Sequence, residues 1–268
     1  DAVVQSTHKT LGSFTQTSML HSNNDFWFSQ VVQAQRVLQT TSPSLIFLAA
    51  LDEVRRELAV QGRELVGRAV EIGKECSDAL RCIRAVEVVP EHLCADPTKL
   101  VFSLRQLGMT GIEVERILRV DYNIQVELSD YYSVLAMISV GDAPESAAKL
   151  VHAVRDIAAR RAHMGGKPLP HHNLVFPDLP PAAFTLRAGF FQDKELVSLE
   201  QAAGRVSGGF LTPYPPGVPL IAPGEVFTKE IVEFTQWLAG IRWPIRGLMA
   251  GQKVLAIKDN GGLCRTVR

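Results

Sequence analysis

The chain has 268 residues, of which 46% are hydrophobic and 21% charged, and its 28 basic and 28 acidic side chains give a formal net charge of +0. This composition is typical of a globular protein with a sizeable core, and the charge balance gives no electrostatic reason to expect nucleic acid or an anionic membrane as a partner. No apolar run approaches the roughly 20 residues that span a bilayer.

The first 83 residues are predicted to contain strands and helices in turn. Residues 1–5 are expected to form a short buried strand, and 17–21 a second apolar stretch. Residues 26–39 have a mixed helical pattern that breaks before Pro43, because proline disfavours the helical region at the residue preceding it. Apolar positions at helical spacing then predict one long helix over 44–83. Gly62 and Gly73 are its weak points.

The next 80 residues alternate between strand and helix patterns, which favours an α+β or α/β sandwich. The segment 123–129 alternates, with Ile124, Val126 and Leu128 on one face, and the apolar run 133–140 predicts a strand buried on both faces. Residues 146–163 form an amphipathic pattern with Pro144 near its start, where proline is tolerated. The remaining predicted elements are strands at 86–89 and 99–104 and a helix at 111–120.

The last hundred residues begin with a stretch rich in Pro, Gly and His at 164–183, which we interpret as a linker. Helices are predicted at 198–207 and 228–238. The Pro/Gly-dense segment 213–217 between them is expected to have a structural packing role.

The cysteines and paired histidines do not favour a metal site. The cysteines are scattered without metal-ligand spacing, so we expect reduced structural thiols in a reducing compartment; they are Cys76, Cys82, Cys94 and Cys264. The adjacent His171 and His172 have no partner at suitable spacing and are interpreted as part of the solvated linker.

The stretch most informative about chemistry is residues 6–10, at the end of the first predicted strand. Lys9 is preceded by an imidazole and lies near hydroxyl groups, which suits a Schiff-base lysine whose amine must be positioned and able to shed its proton. Ser6 can donate a hydrogen bond to a phosphate, and so can His8 if it is protonated at the relevant nitrogen. A short string of this kind, taken alone, is more often a surface lysine.

The longer stretch 3–21 resembles the cofactor-attachment signature of the ornithine/lysine/arginine decarboxylase family. Further stretches resemble the same family in the same order, so the resemblance spans essentially the whole chain; they are 40–44, 51–52, 96–100, 141–142, 213–220 and 223–225. The similarity is greatest to the shorter branch found in cyanobacteria, plastid-bearing eukaryotes and Gram-positive bacteria. Family members commonly carry a proline and an acidic residue within 185–190, which this sequence lacks.

For the fold, the resemblance implies mixed α/β and α+β architecture, with part of an aspartate-aminotransferase-like large domain at the start. The implied domains are the end of the cofactor-binding major domain at 1–83, a small α+β domain at 84–163, a linker at 164–183 and a C-terminal decarboxylase domain at 184–268. It also implies a homodimer or higher homo-oligomer. In the family, the aspartate at the pyridine nitrogen, the ring-stacking residue, the phosphate loop and most strands of the first sheet precede the cofactor lysine. Only eight residues precede Lys9 in this sequence. The apolar faces that normally pack on that sheet are therefore expected to be exposed.

For the chemistry, the resemblance implies pyridoxal 5'-phosphate held covalently by Lys9, with Lys9 and His8 as catalytic residues. Ser6 and His8 would contact the cofactor phosphate, while Thr41 and Ser42 would reach that phosphate or the partner's site. Lys9 or a neighbouring acid would return a proton to the α-carbon. The substrate would be a basic amino acid in polyamine biosynthesis, with arginine favoured by the branch and lysine or ornithine possible.

Several interpretations stay open. Glu127 and Asp130 are suited to face a cationic side chain, but a solvated turn is favoured, and 96–99 is expected to shape a turn into a strand. The competing functions are an aminotransferase or another lyase on the same fold, or a non-catalytic scaffold. The expected compartment is the cytoplasm, or the plastid stroma in a photosynthetic eukaryote.

Overall fold

The computed structural model describes residues 2–90, 93, 96–170 and 176–258. The chain divides into two compact units, Asp1–Leu169 and Pro170–Arg268. Cys94, Cys264 and the pair His171 and His172 lie outside the described residues. No helix in the described part of the chain is long and apolar enough to cross a membrane.

The first unit begins with an antiparallel hairpin. Strand β1 (Ala2–Gln5) leads into the one-turn helix α1 (Thr7–Thr10) and then into β2 (Met19–Ser22), with Val4 opposite Leu20. All four residues of β1 are exposed, so the prediction of a buried strand is wrong. The reason is that β2 is its one strand neighbour among the described residues, and a strand is buried on both faces only when other layers cover it.

Two helices follow, each begun by a polar side chain that accepts backbone hydrogen bonds. The amide oxygen of Asn24 starts α2 (Asp25–Leu38), and the hydroxyl of Ser44 starts α3 (Leu45–Arg81). Helix α2 buries none of its residues within this chain. Helix α3 runs unbroken for 37 residues, which confirms the predicted long helix.

The rest of the first unit is an antiparallel four-stranded sheet in the order β3-β4-β6-β5 with helices packed on it. In chain order the elements are β3 (Glu87–Val88), β4 (Lys99–Ser103), α4 (Gly111–Asp121), β5 (Leu128–Ser129), β6 (Val134–Met137) and α5 (Pro144–His163). The C-terminal half of α3 lies against the same sheet and against α5. The fully buried side chains of this core include Leu80, Leu100, Phe102, Leu118, Val134 and Val154.

Strand β6 corrects one sequence prediction. Its burial alternates, with Val134 and Ala136 buried and Leu135 and Met137 partly exposed, so the expected burial on both faces is wrong. An antiparallel sheet covered by helices on one side produces this alternation. The predicted alternating strand at 123–129 is limited to its last two residues, and Leu128 is exposed.

The second unit contains α6 (Leu186–Phe190), β7 (Lys194–Ser198), β8 (Thr212–Pro213), α7 (Lys229–Gly240), β9 (Ile245–Arg246) and β10 (Lys253–Ile257). Strands β7 and β10 pair antiparallel, as do β8 and β9. Helix α7 confirms the prediction at 228–238. The helix predicted at 198–207 is wrong: a single 3₁₀ turn ends at Ala202, Gly204 has a left-handed φ of 78°, and Val206 bridges to Val226.

The segment 213–217 packs within the second unit, as a structural role requires. The indole Nε1 of Trp243 donates to the Pro215 carbonyl oxygen at 3.0 Å. The Tyr214 backbone nitrogen donates to the Pro244 carbonyl oxygen at 2.9 Å. The guanidinium of Arg246 lies 4.5 Å from the centroid of the Tyr214 ring, a cation–π arrangement.

Candidate active site

Helix α1 presents Lys9 directly after the first strand. Ser6 occupies the helix N-cap position, and the backbone nitrogen of Lys9 donates to the Ser6 carbonyl oxygen at 3.3 Å. Thr7 is buried and anchors the turn, whereas 48% of the Lys9 side chain is exposed. The turn therefore fixes the backbone of Lys9 while leaving its amine accessible.

His8 is oriented by a backbone carbonyl. Its Nδ1 lies 2.8 Å from the carbonyl oxygen of Thr17, a buried residue whose hydroxyl donates to the Phe14 carbonyl at 2.7 Å. A carbonyl oxygen only accepts, so Nδ1 must carry the proton. The other ring nitrogen, Nε2, then donates to an anion only when the ring is an imidazolium.

A carboxylate from a distant part of the sequence contacts the Lys9 amine. The Glu127 Oε1 lies 2.7 Å from the Lys9 Nζ, although the two residues are 118 positions apart. Glu127 lies just before β5, and its backbone nitrogen donates to the Leu135 carbonyl of β6 at 3.0 Å. The favoured interpretation of a solvated turn is therefore wrong for Glu127. Asp130 does shape a turn, accepting from the Tyr132 backbone nitrogen at 2.8 Å.

The loop after β6 also reaches α1. The Val140 backbone nitrogen donates to the Thr10 carbonyl oxygen at 3.1 Å, and the Arg68 guanidinium of α3 donates to the Val140 carbonyl at 3.2 Å. In the same loop the Asp142 carboxylate accepts from the Ser139 backbone nitrogen at 2.8 Å. Thr17, Glu127 and Val140 therefore bring three later segments of the first unit into contact with α1.

Two further predicted site residues lie in a different loop of the first unit. Thr41 and Ser42 are exposed in the turn between α2 and α3, where the Ser42 backbone nitrogen donates to the Thr40 hydroxyl at 3.1 Å. The described part of the chain contains no group of three or more side chains suited to hold a metal ion.

The predicted turn before β4 is present. The Asp96 carboxylate accepts from the backbone nitrogen of Thr98 at 2.9 Å and from its hydroxyl at 2.6 Å. Lys99 lies 3.4 Å from the same carboxylate. These contacts lower the pKa of Asp96 even though partial burial, the largest single influence, raises it. The turn stabilises the entry into β4.

Known protein families account for both ends of the chain. Residues 2–90 match the model described as the major domain of Orn/Lys/Arg decarboxylase, and residues 179–248 match the model of its C-terminal domain. The chain belongs to the Orn/Lys/Arg decarboxylase family. The segment that carries Lys9 lies within the matched major domain, which confirms the resemblance stated from the sequence.

Named members of the decarboxylase family are similar to most of this chain. An arginine decarboxylase of Bacillus subtilis is 35% identical over 244 residues, covering 87% of this chain and 49% of the relative. The inducible lysine decarboxylase of Escherichia coli is 25% identical and covers 88% of this chain and 45% of the relative. The chain thus spans about half the length of the curated relatives it matches.

Solved structures of family members share the fold. The constitutive lysine decarboxylase of Escherichia coli aligns with a TM-score of 0.74 at 20% identity, covering 96% of this chain and 49% of that chain. The lysine decarboxylase of Francisella novicida aligns with a TM-score of 0.76 at 19% identity, covering 95% of this chain and 48% of that chain. These likenesses support the mixed α/β class.

The residues on α1 fit the cofactor that the family resemblance implied. Pyridoxal phosphate needs a primary amine for attachment and hydrogen-bond donors for its phosphate. Lys9 supplies an accessible amine. The exposed hydroxyl of Ser6 makes no side-chain hydrogen bond to any described residue, so it is available as a donor. His8 supplies a second donor in its imidazolium form.

Proposed function

We propose that this protein is a pyridoxal-phosphate-dependent decarboxylase that converts a basic amino acid to the corresponding amine and carbon dioxide. The observation that carries the proposal is the accessible Lys9 amine on α1, next to the His8 imidazole and the exposed Ser6 hydroxyl, in a segment that matches the family's major domain. These three groups are the amine and the phosphate donors that such a site requires.

Arginine is the favoured substrate, with lysine or ornithine as alternatives. Relatives named arginine decarboxylase are 32–35% identical to this chain, whereas those named lysine decarboxylase are 23–25% identical. The three amino acids share the reacting centre and differ at the far end of the side chain. Product formation from arginine would place the protein in polyamine biosynthesis.

The chain's own residues would perform the following tasks. Bound cofactor supplies an electron sink for the pair left when carbon dioxide departs. Lys9 would hold the cofactor covalently before substrate binds, and its amine would afterwards return a proton to the α-carbon. Ser6 and His8 hold the phosphate.

The oligomeric state and the compartment belong to the same proposal. We propose a homodimer or higher homo-oligomer in which Thr41 and Ser42, exposed in the turn before α3, serve the partner's site. Apolar side chains exposed on β1, β2 and α2 provide a surface for such contacts, among them Val4, Leu20 and Phe28. The proposed compartment is the cytoplasm, or the plastid stroma in a photosynthetic source.

Covalent trapping tests the cofactor assignment. The full-length product of the gene is incubated with pyridoxal phosphate, reduced with borohydride and mapped by mass spectrometry. A pyridoxyl adduct on Lys9 is expected, and Lys9→Arg should abolish it while Lys253→Arg, a change on the second unit, should not. Absence of the Lys9 adduct in folded protein would contradict the assignment and favour the non-catalytic scaffold. A separate assay with arginine, lysine or ornithine as substrate distinguishes the reaction type. Formation of an oxo acid from the amino acid in place of carbon dioxide would favour an aminotransferase.

A further inference from the structure

The contact between Lys9 and Glu127 has an effect opposite to that needed for cofactor attachment. An amine must be neutral to attack an aldehyde, whereas a carboxylate 2.7 Å from its nitrogen favours the ammonium form. The contact therefore serves a state in which the Lys9 amine is not covalently joined to the cofactor.

Glu127 is placed for this contact by backbone structure. Its backbone nitrogen bonds to Leu135 on β6, and the next turn is held by the Asp130 carboxylate, which accepts from the Ser133 backbone nitrogen at 2.6 Å. The Glu127 side chain is 29% exposed, less than the 48% of Lys9. The charge-assisted hydrogen bond that the Lys9 ammonium donates to this partly buried carboxylate on a fixed segment orients the flexible lysine side chain.

Other charged groups on α1 and on the neighbouring segments have different primary contacts. His8 bonds to the Thr17 carbonyl, Arg68 to the Val140 carbonyl and Asp142 to Ser139. Asp130 is engaged by the backbone of its own turn, and Glu115 accepts from the Ser129 hydroxyl. Glu127 is the carboxylate of this group that bonds directly to the Lys9 amine.

We propose that Glu127 is a positioning residue that keeps Lys9 as an ammonium whenever its amine is not joined to the cofactor. The inference rests on the proposed function. With cofactor bound, the Lys9 amine freed by the substrate would take up the proton that the substrate's ammonium group gives up on joining the cofactor, and would then pair with Glu127. When carbon dioxide leaves, one N–H bond of the Lys9 ammonium breaks and its proton forms a C–H bond with the electron pair on the α-carbon. The amine, now neutral, is able to attach again.

The test measures the nucleophilicity of Lys9 without any cofactor. The full-length protein is labelled with trace acetic anhydride across a pH series, and acetylation of Lys9 is read by mass spectrometry against Lys253. In Glu127→Gln, Lys9 should react about two- to fivefold faster near neutral pH, the size expected from loss of one partly exposed opposite charge. The curve of Lys9 acetylation rate against pH should shift to lower pH in Glu127→Gln. In Glu127→Asp this curve should stay close to that of the wild type.

The matched control is Glu64→Gln, which neutralises an exposed carboxylate on α3 far from Lys9 in sequence. It should leave the Lys9 profile unchanged. A Glu127→Gln profile that coincides with those of wild type and the control overturns the proposal, even if Lys9 still takes up pyridoxal phosphate. A shifted profile without any pyridoxyl adduct on Lys9 would instead remove the proposed function, and with it the acid role of Lys9.

The holoenzyme gives a second readout. A smaller ammonium fraction at Lys9 should lower kcat in Glu127→Gln more than it raises KM, because the proton transfer from Lys9 follows substrate binding. An equal loss of kcat in Glu127→Gln and in the control Glu64→Gln would contradict a role in proton delivery. A change in KM alone in Glu127→Gln would also contradict it.

Discussion

Gly73 of α3 lies against the backbone of Pro97 so closely that a β-carbon on the glycine would be 2.3 Å from the Pro97 carbonyl oxygen. This contact joins the long helix to the turn that leads into β4. The glycine is required here by close backbone approach, although it lies within a helix, where glycine is otherwise unfavourable.

Replacement of Gly73 by alanine should therefore destabilise the protein, by roughly 1–3 kcal/mol, because a rigid backbone must move. Gly67→Ala on the same helix is the matched control, since nothing lies within 4 Å of its added β-carbon. That change should stabilise by about 0.5–1 kcal/mol through helix propensity. Urea unfolding of both variants measures the two effects, and equal stabilities would show that α3 does not pack tightly at Gly73.

Asp96 should contribute to stability in a pH-dependent way. Its folded-state pKa is lowered from an ordinary value near 3.8, despite the opposing effect of burial, by hydrogen bonds from Thr98 and the charge of Lys99. A depressed pKa means that the stabilisation is present above the unfolded-state value and is lost as pH falls through the folded-state value. The free energy of unfolding of Asp96→Asn should therefore be lower than wild type at neutral pH and converge with it in acid. Parallel curves down to pH about 2 would contradict this linkage.

The two cysteines of α3 and its C-terminal cap should differ in reactivity. Cys76 is buried, and burial raises the pKa of its thiol to about 11, whereas Cys82 is exposed. Because the thiolate is the reactive form, iodoacetamide at neutral pH should label Cys82 and leave Cys76 unmodified until urea unfolds the chain. Rapid labelling of Cys76 in the folded protein would show that the core around α3 opens.

The ring of His8 should have a defined tautomer. Because Nδ1 faces the Thr17 carbonyl oxygen at 2.8 Å, the neutral ring should carry its proton on Nδ1. Nitrogen-15 NMR of imidazole-labelled protein distinguishes the two forms directly. A neutral ring protonated on Nε2 would contradict the geometry and would remove the requirement that His8 be an imidazolium in order to donate to phosphate.

Local patterns predicted the helices of the first unit better than its strands. The apolar spacing of α3 and α5 was sufficient to predict both helices, because each helix buries one face of its own pattern. The apolar run that forms β6 resembles a strand buried on both faces, and only the sheet's single helical layer explains the partial exposure of Leu135. In the second unit, Gly204 and the bridge at Val206 replace a helix that the composition of 198–207 favoured.

The candidate site was predictable where its residues are adjacent in sequence. Ser6, His8 and Lys9 share one turn, so a short motif identifies them together. The contact of Glu127 with Lys9 depends on how β5 and β6 pair beyond α4, and no local signal encodes a relationship across 118 positions. The positions of Thr41 and Ser42 relative to Lys9 stay predictions, because they depend on the proposed partner subunit.

Carbon dioxide release tests the central claim most directly. The full-length protein with pyridoxal phosphate is given arginine, lysine or ornithine labelled with carbon-13 at the carboxyl group, and the labelled gas and the amine product are measured together. Equal amounts of carbon dioxide and amine, greatest with arginine and absent in Lys9→Arg, are the predicted result. Folded, cofactor-loaded protein that releases no labelled gas from any of the three, or that releases it equally in Lys9→Arg, would contradict the account.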